Sequence, residues 1–257
     1  MKIEILYPEI ANLFGDLANI KYMMASVPDC KIVGTDLNTK PAFLTSDDVD
    51  LVYMGTMTEN NQIIAMEWEM FQKTQNVGGR AWCQDDKVQF DANRRAQFEI
   101  WDEKTLQSYL HDLQEAESTG QNPVTLKYAY MMETTSPEEY ALLKDRLPEI
   151  SEEKRLLIDR MAEMTASWCE EFAAQYPNLG RRGRPARPLP EAPGITSAQT
   201  YCAGELSTYS LETLKNLYEI YGQYAKENKN LFEKSVENEI SFLLHKSLKE
   251  IESEMSV

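Results

Sequence analysis

The sequence predicts a mainly α protein, in which a helical domain is preceded by a short α/β segment with about three parallel strands. Three observations carry this reading. Residues 2–7, 30–35 and 50–54 are apolar runs of strand length, all within the first 54 of 257 residues. From Thr58 onward the apolar spacing changes to that of amphipathic helices and stays there. Irregular composition, rich in Gly, Pro and Arg, is confined to residues 180–196. The expected division is an α/β segment over 1–62 and a helical domain over 63–257.

Lys2-Ile-Glu-Ile-Leu-Tyr7 alternates as a half-buried strand does and ends at Pro8. Leu17, Ile20, Met23 and Met24 then share a helical face over 16–26, with Asp16 placed to cap it. Strand, helix, strand, strand in this spacing is the opening half of a parallel α/β sheet. Thr58 is placed to cap a helix to about Gln75, with Ile63, Met66, Met70 and Phe71 on one face. Ser136-Pro-Glu-Glu139 reads as a capping box with proline in the first turn. Ser151 starts a helix whose stripe is Leu157, Met161, Met164, Trp168 and Phe172, and which stops before Pro177. Ser210 precedes the stripe Leu214, Leu217, Tyr218, Tyr221 and Tyr224. Asn230 with Glu233 caps a last helix whose core face is Val236, Ile240, Leu243, Leu244 and Leu248.

A composition of 42% hydrophobic and 26% charged residues is that of a folded chain. The formal charge of −16 excludes nucleic acid and anionic membrane as expected partners, because phosphate binding needs clustered Lys and Arg. Cysteines at 30, 83, 169 and 202 are too far apart for a zinc pattern or a small disulfide framework, so no metal and no cofactor is expected. No apolar run reaches spanning length and Met1–Leu6 lacks a signal-peptide core, which makes the cytoplasm the expected location.

Tyr7-Pro8, Asn12-Leu-Phe-Gly-Asp16, Asn19-Ile20 and Asp50-Leu-Val-Tyr-Met-Gly55 resemble the start of class I glutamine amidotransferase-like domains of the cobyric acid synthase and lipid II amidation type. The resemblance covers residues 3–62 and implies a truncated α/β sheet. Such enzymes need a cysteine on a sharp strand-to-helix turn with small flanking residues, and a distal histidine base. Arg80-Ala-Trp-Cys83-Gln-Asp-Asp86 has neither glycines nor a preceding apolar strand, and His111 and His245 follow no triad spacing. Glutaminase activity is therefore not expected.

A second set of residues is spread over 66–250. It comprises Glu67-Trp-Glu-Met-Phe71, Gly78-Gly-Arg-Ala81, Cys83-Gln84, Arg95-Ala-Gln-Phe98, Trp101 and Lys127–Glu133. Gly183-Arg-Pro185, Thr200-Tyr201 and Gly204–Ser210 complete it. This part resembles domain-of-unknown-function family 4125, a bacterial family, which implies a shared helical fold and no particular activity. The two resemblances meet abruptly within 58–67, either as a natural fusion with a docking element or as two coding sequences joined in assembly.

The candidate ligand-binding residues are Arg80, Gln84, Asp85, Arg95, Gln97, Lys127, Glu133, Glu205 and Tyr209. Arg80, Gln84, Asp85, Asp86, Arg94, Arg95 and Gln97 lie among Trp82, Phe90, Phe98 and Trp101. They read either as a pocket in which arginine holds a small anionic ligand or as a loop anchored by internal bonds. Glu205 and Tyr209, one turn apart, either face a pocket or form a buried Tyr–Glu bond. Arg181, Arg182, Arg184 and Arg187 either receive an acidic partner or form a solvated connector. The reading with which the sequence leaves us is a non-catalytic interaction or small-ligand-binding protein. An enzyme using the Arg/Gln/Asp neighbourhood and a regulatory amidotransferase-like subunit are the alternatives. Self-association or a protein partner is expected at the open N-terminal strand edge.

Overall fold

The computed structural model of the chain describes residues 1–8, 17–27, 29–36, 39–54, 59–75, 79–192 and 194–255. Asp16, Thr58, Gly78 and the Asn12–Asp16 motif, all used above, lie outside them. Among the described residues there are three parallel strands, with one α-helix between the first and the second, and eleven further α-helices after the third. The chain divides into two units, Met1–Ala65 and Met66–Val257.

In the first unit β1 (Lys2–Leu6) lies between β2 (Lys31–Thr35) and β3 (Leu51–Tyr53), in the order β2-β1-β3. Ile3 stands opposite both Ile32 and Leu51. Ile3, Ile5 and Ile20 form the core, Ile20 coming from α1 (Leu17–Ser26), and Met23, Cys30, Ile32 and Tyr53 pack around them. Met24, expected on the same face as Ile20, is instead exposed.

Strict alternation would put Glu4 in solvent on the face opposite Ile3 and Ile5, yet it is fully buried. The Thr35 hydroxyl and the backbone N–H groups of Ala42 (2.5 Å) and Phe43 (2.7 Å) donate to its carboxylate. Those N–H groups open the 3-10 turn Ala42–Leu44, so Glu4 ties the β2–β3 crossover to the central strand. Burial alone would raise its pKa, but the three donors outweigh burial and lower it.

The second unit is helical. It contains α3 (Lys87–Phe98), α4 (Glu103–Thr119), α5 (Pro123–Thr135), α6 (Pro137–Leu143), α7 (Glu152–Gln175) and α8 (Pro177–Gly180). After an irregular stretch come α9 (Ala198–Leu206), α10 (Leu211–Lys226), α11 (Leu231–Leu244) and α12 (Leu248–Glu254). The division between units falls within α2 (Glu59–Lys73). Ser151, Ser210 and Asn230 each accept a hydrogen bond from the backbone N–H three residues on, as their sequence contexts predict.

Two helix ends differ from what the sequence predicts. Ser136 precedes α6 but makes no side-chain cap; its φ of −151° and ψ of 63° depart from the usual extended capping geometry. The expected last helix is two helices. His245 takes a left-handed conformation (φ 53°), which ends α11, and Ser247 with Glu250 forms a capping box that starts α12. Leu248 therefore packs from α12 against Phe172 and Tyr176, while Leu244 is left exposed.

Candidate functional site

The second unit has a charged centre rather than a purely apolar one. Glu67 on α2 sits a helical turn from Ile63, Ile64, Met70 and Phe71, so the stripe that buries those side chains carries the carboxylate inward. Arg94 on α3 lies one turn before Phe98 and stacks on its ring, with the guanidinium carbon 4.7 Å from the centroid. Glu205 reaches in from α9. There Gly204 lets that helix approach α5: a Cβ would lie 2.9 Å from the Lys127 carbonyl oxygen and collide with the Met131 side chain.

Arg94 grips Glu67 as a fork, with Nε donating to Oε2 and Nη2 to Oε1, both at 2.6 Å. Its Nη1 donates to Glu205 Oε1 at 2.8 Å and to Gln97 Oε1 at 2.7 Å. Tyr109 donates to Glu67 at 2.7 Å and Tyr209 to Glu205 at 2.8 Å. Lys127 Nζ donates to Tyr201 Oη at 2.9 Å and lies 3.4 Å from Glu205 Oε2. Two carboxylates thus face two cations, and the formal charges cancel. Glu67, Arg94, Lys127 and Glu205 are 4–8% exposed.

The surroundings move Glu205, Arg94, Lys127, Tyr109 and Tyr209 further from titrating at neutral pH. Burial opposes ionisation of Glu205, but Arg94 and Lys127 outweigh it and hold its carboxyl far below the usual range. Burial would likewise discharge Arg94 and Lys127. The carboxylates overcome this for Arg94, Tyr201 and Glu205 do so for Lys127, and both cations are raised. Burial and the adjacent carboxylates push Tyr109 and Tyr209 well above 10. A general acid or base works best near the operating pH, and Glu205, Arg94, Lys127, Tyr109 and Tyr209 are all driven from it.

Of the residues nominated from sequence, Gln97, Lys127, Glu205 and Tyr209 meet here, and the Tyr–Glu bond is present. The arginine of the cluster is Arg94, the neighbour of the half-buried Arg95. Glu67, Tyr109 and Tyr201 went unnominated; the legible signal was a charge or hydroxyl in the middle of an apolar helical stripe. Arg80, Gln84 and Asp85 lie elsewhere and anchor a loop to the end of α2. Gln84 is buried and donates to the Phe71 and Thr74 carbonyls (2.7 and 3.0 Å), while Arg80 binds Asp85, Gln72 and the Gln84 carbonyl. Glu133 is exposed, 4.0 Å from Arg155. Cys83 sits in the 3-10 turn Trp82–Gln84 after an extended Ala81. In the basic stretch, Arg187 is neutralised by Glu163 (2.8 Å) and Glu170 (2.7 Å). Arg184 lies 4.9 Å from the Tyr201 ring, so the connector is tied down on the cluster side.

Two surface basins, of about 530 and 430 Å³, are lined by residues other than those of the cluster. Among the described residues no group of three or more His, Cys, Asp or Glu is arranged to hold a metal ion, and no helix is long and apolar enough to cross a membrane.

A family model described as a protein of unknown function (DUF4125) matches residues 58–253. No curated protein and no solved structure matches the chain. The matched span begins at residue 58, so residues 1–57 fall outside it.

Proposed function

The chain belongs to the DUF4125 family of unknown function, and from that premise we propose that it acts by binding, not by catalysis, with the buried charge cluster as the lock that holds its helices in register. The observation that supports this reading is the pairing of Arg94, Glu67, Glu205 and Lys127 with one another. Each of these ionised groups is paired with an opposite charge inside the protein. Six of the residues that carry the family resemblance, Glu67, Gln97, Lys127, Tyr201, Glu205 and Tyr209, meet in this cluster. The resemblance is then one of fold more than of chemistry. For residues 1–62 the reading is a non-catalytic docking or regulatory segment laid out like the opening of an amidotransferase sheet. We place the protein in the cytoplasm, where its four free thiols would stay reduced.

The test is to incubate the protein with a defined mixture of amino acids, including glutamine, organic acids and nucleotides, and to follow it by proton NMR. Binding predicts saturation transfer to at least one component, no consumption of any, and no ammonia. Consumption of a component that stops in a Glu205→Gln variant would overturn the reading.

A further inference from the structure

The two C-terminal helices are fastened differently from those they pack on. α7 buries seven of its side chains and α10 six, whereas α11, fourteen residues long, buries none completely. Phe232, Val236 and Ile240 are half-buried where α11 lies on α3 and α7, and Phe242 and Leu244 are exposed. In the arm that α11 and α12 form, only Leu248 and Ile251 are buried, both on the seven-residue α12. Apolar stabilisation follows the area taken from water, so the arm receives little of it. The other fastenings are polar. Asn230 Nδ2 donates to the Trp168 carbonyl (2.8 Å) and Asn238 Nδ2 to the Ala96 carbonyl (3.1 Å). The Tyr176 hydroxyl donates to Glu233 (3.1 Å), the Gln89 amide to Glu239 (2.6 Å), and the Asn178 and Leu179 N–H groups to Glu252 (2.8 and 2.9 Å). Such bonds replace bonds to water and each adds little net stability. Glu239 is the weakest of these points. The neutral amides of Gln89 and Asn93 meet its carboxylate in the α3–α11 seam, and burial raises its carboxyl above the ordinary value.

The joint to the body is the short turn Glu227–Asn230. Asn228 is left-handed (φ 50°), and the Lys229 N–H donates back to the Tyr224 carbonyl at 2.9 Å, which closes α10. Asn230 Oδ1 accepts from the Glu233 N–H and starts α11. Both signals are local, so α10 keeps its end and α11 its start whether or not the arm is docked. We propose that α11 and α12 form a hinged arm that undocks as one piece from α3, α7 and α8, turning about Glu227–Asn230, while the helices beneath stay folded. Closed, the arm covers Phe172 and Tyr176 and braces α3 through Gln89, Asn93 and Ala96. Arg94 leaves α3 on a different side, toward the buried cluster. Opening therefore bares the Phe172–Tyr176 surface and takes the outer support from the helix that carries Arg94. The arm is in this sense a gate built into the fold, and it stands independently of whether the protein binds or catalyses.

Native-state amide hydrogen exchange of the full chain, followed by NMR at low urea concentrations, tests this. Amides over 235–254 should be protected about a hundredfold less than the interior amides of α7 and α10, such as those of Met161 and Leu217, and should share one opening equilibrium. Leu248→Ala should speed exchange in the arm by about tenfold or more and leave α7 and α10 unchanged. Ile158→Val, in α7, should do the reverse. Glu239→Gln removes the buried charge and keeps the shape, so it should slow exchange in the arm alone. Equal protection of the arm and α7, or variants that change the exchange of all helices alike, would mean one cooperative unit and would overturn the proposal.

Discussion

Replacing Arg94 with Met removes the guanidinium and keeps most of the stem that packs on Phe98. Glu67 then retains only the Tyr109 hydroxyl among the donors described above, while Glu205 keeps Lys127, Gln97 and Tyr209. Removing one partner of a buried ion pair costs roughly 3–5 kcal/mol, because the remaining charge stays behind without compensation. That is a large part of the roughly 5–15 kcal/mol that a domain has in total. For a unit of this size each kcal/mol shifts the midpoint by about 2–4 °C, so Arg94→Met should melt about 6–20 °C below the parent. Circular dichroism melting with urea titration at 25 °C gives both quantities. Replacing Glu67, Arg94, Lys127 and Glu205 together by Met should recover much of the loss, since an apolar set leaves no orphan charge. If Arg94→Met melts within about 2 °C of the parent, or above it, the cluster is not a structural lock.

Gly204→Ala should lower stability by about 1–3 kcal/mol through the clash between α9 and α5, measured by urea midpoint; an unchanged midpoint would mean that the helices separate freely. Glu205 is held below the ordinary carboxylate range, so its contribution to stability is fully present above about pH 4.3 and is lost as pH falls toward the folded-state value. The stability gap between the parent and Glu205→Gln should therefore be wide at pH 7 and narrower at pH 3, and a constant gap would refute the coupling. Lys127, Tyr109 and Tyr209 are raised, so their contribution is complete below about pH 10 and declines above it. A chain consisting of residues 58–257 should be soluble and melt cooperatively; solubility only in the presence of residues 1–57 would show that the two units share a core.

The sequence was most legible where a local signal sufficed. Ser151, Ser210 and Asn230 bond backbone groups three residues away, and no tertiary contact is needed to foresee that. It was less legible where burial came from elsewhere. Glu4 reads as a solvent-facing residue until the Ala42–Leu44 turn folds over it. Glu205 and Tyr209 were visible because they are one turn apart, but Arg94 meets Glu205 across 111 positions and Glu67 across 27, and no spacing rule reaches that far. His245 hid the break between α11 and α12 because only its left-handed backbone, and not its composition, stops the helix.

The most direct measurement is the exchange of the Arg94 Nε proton with water, followed by NMR of ¹⁵N-labelled arginine in the intact protein. Arg94 Nε donates to Glu67 at 2.6 Å in a site closed to solvent. Its proton should therefore exchange orders of magnitude more slowly than those of an exposed arginine such as Arg182, and the metabolite mixture should not change that rate. Fast exchange, or a rate that moves with an added metabolite, would mean that the cluster opens to ligands and is an active site after all.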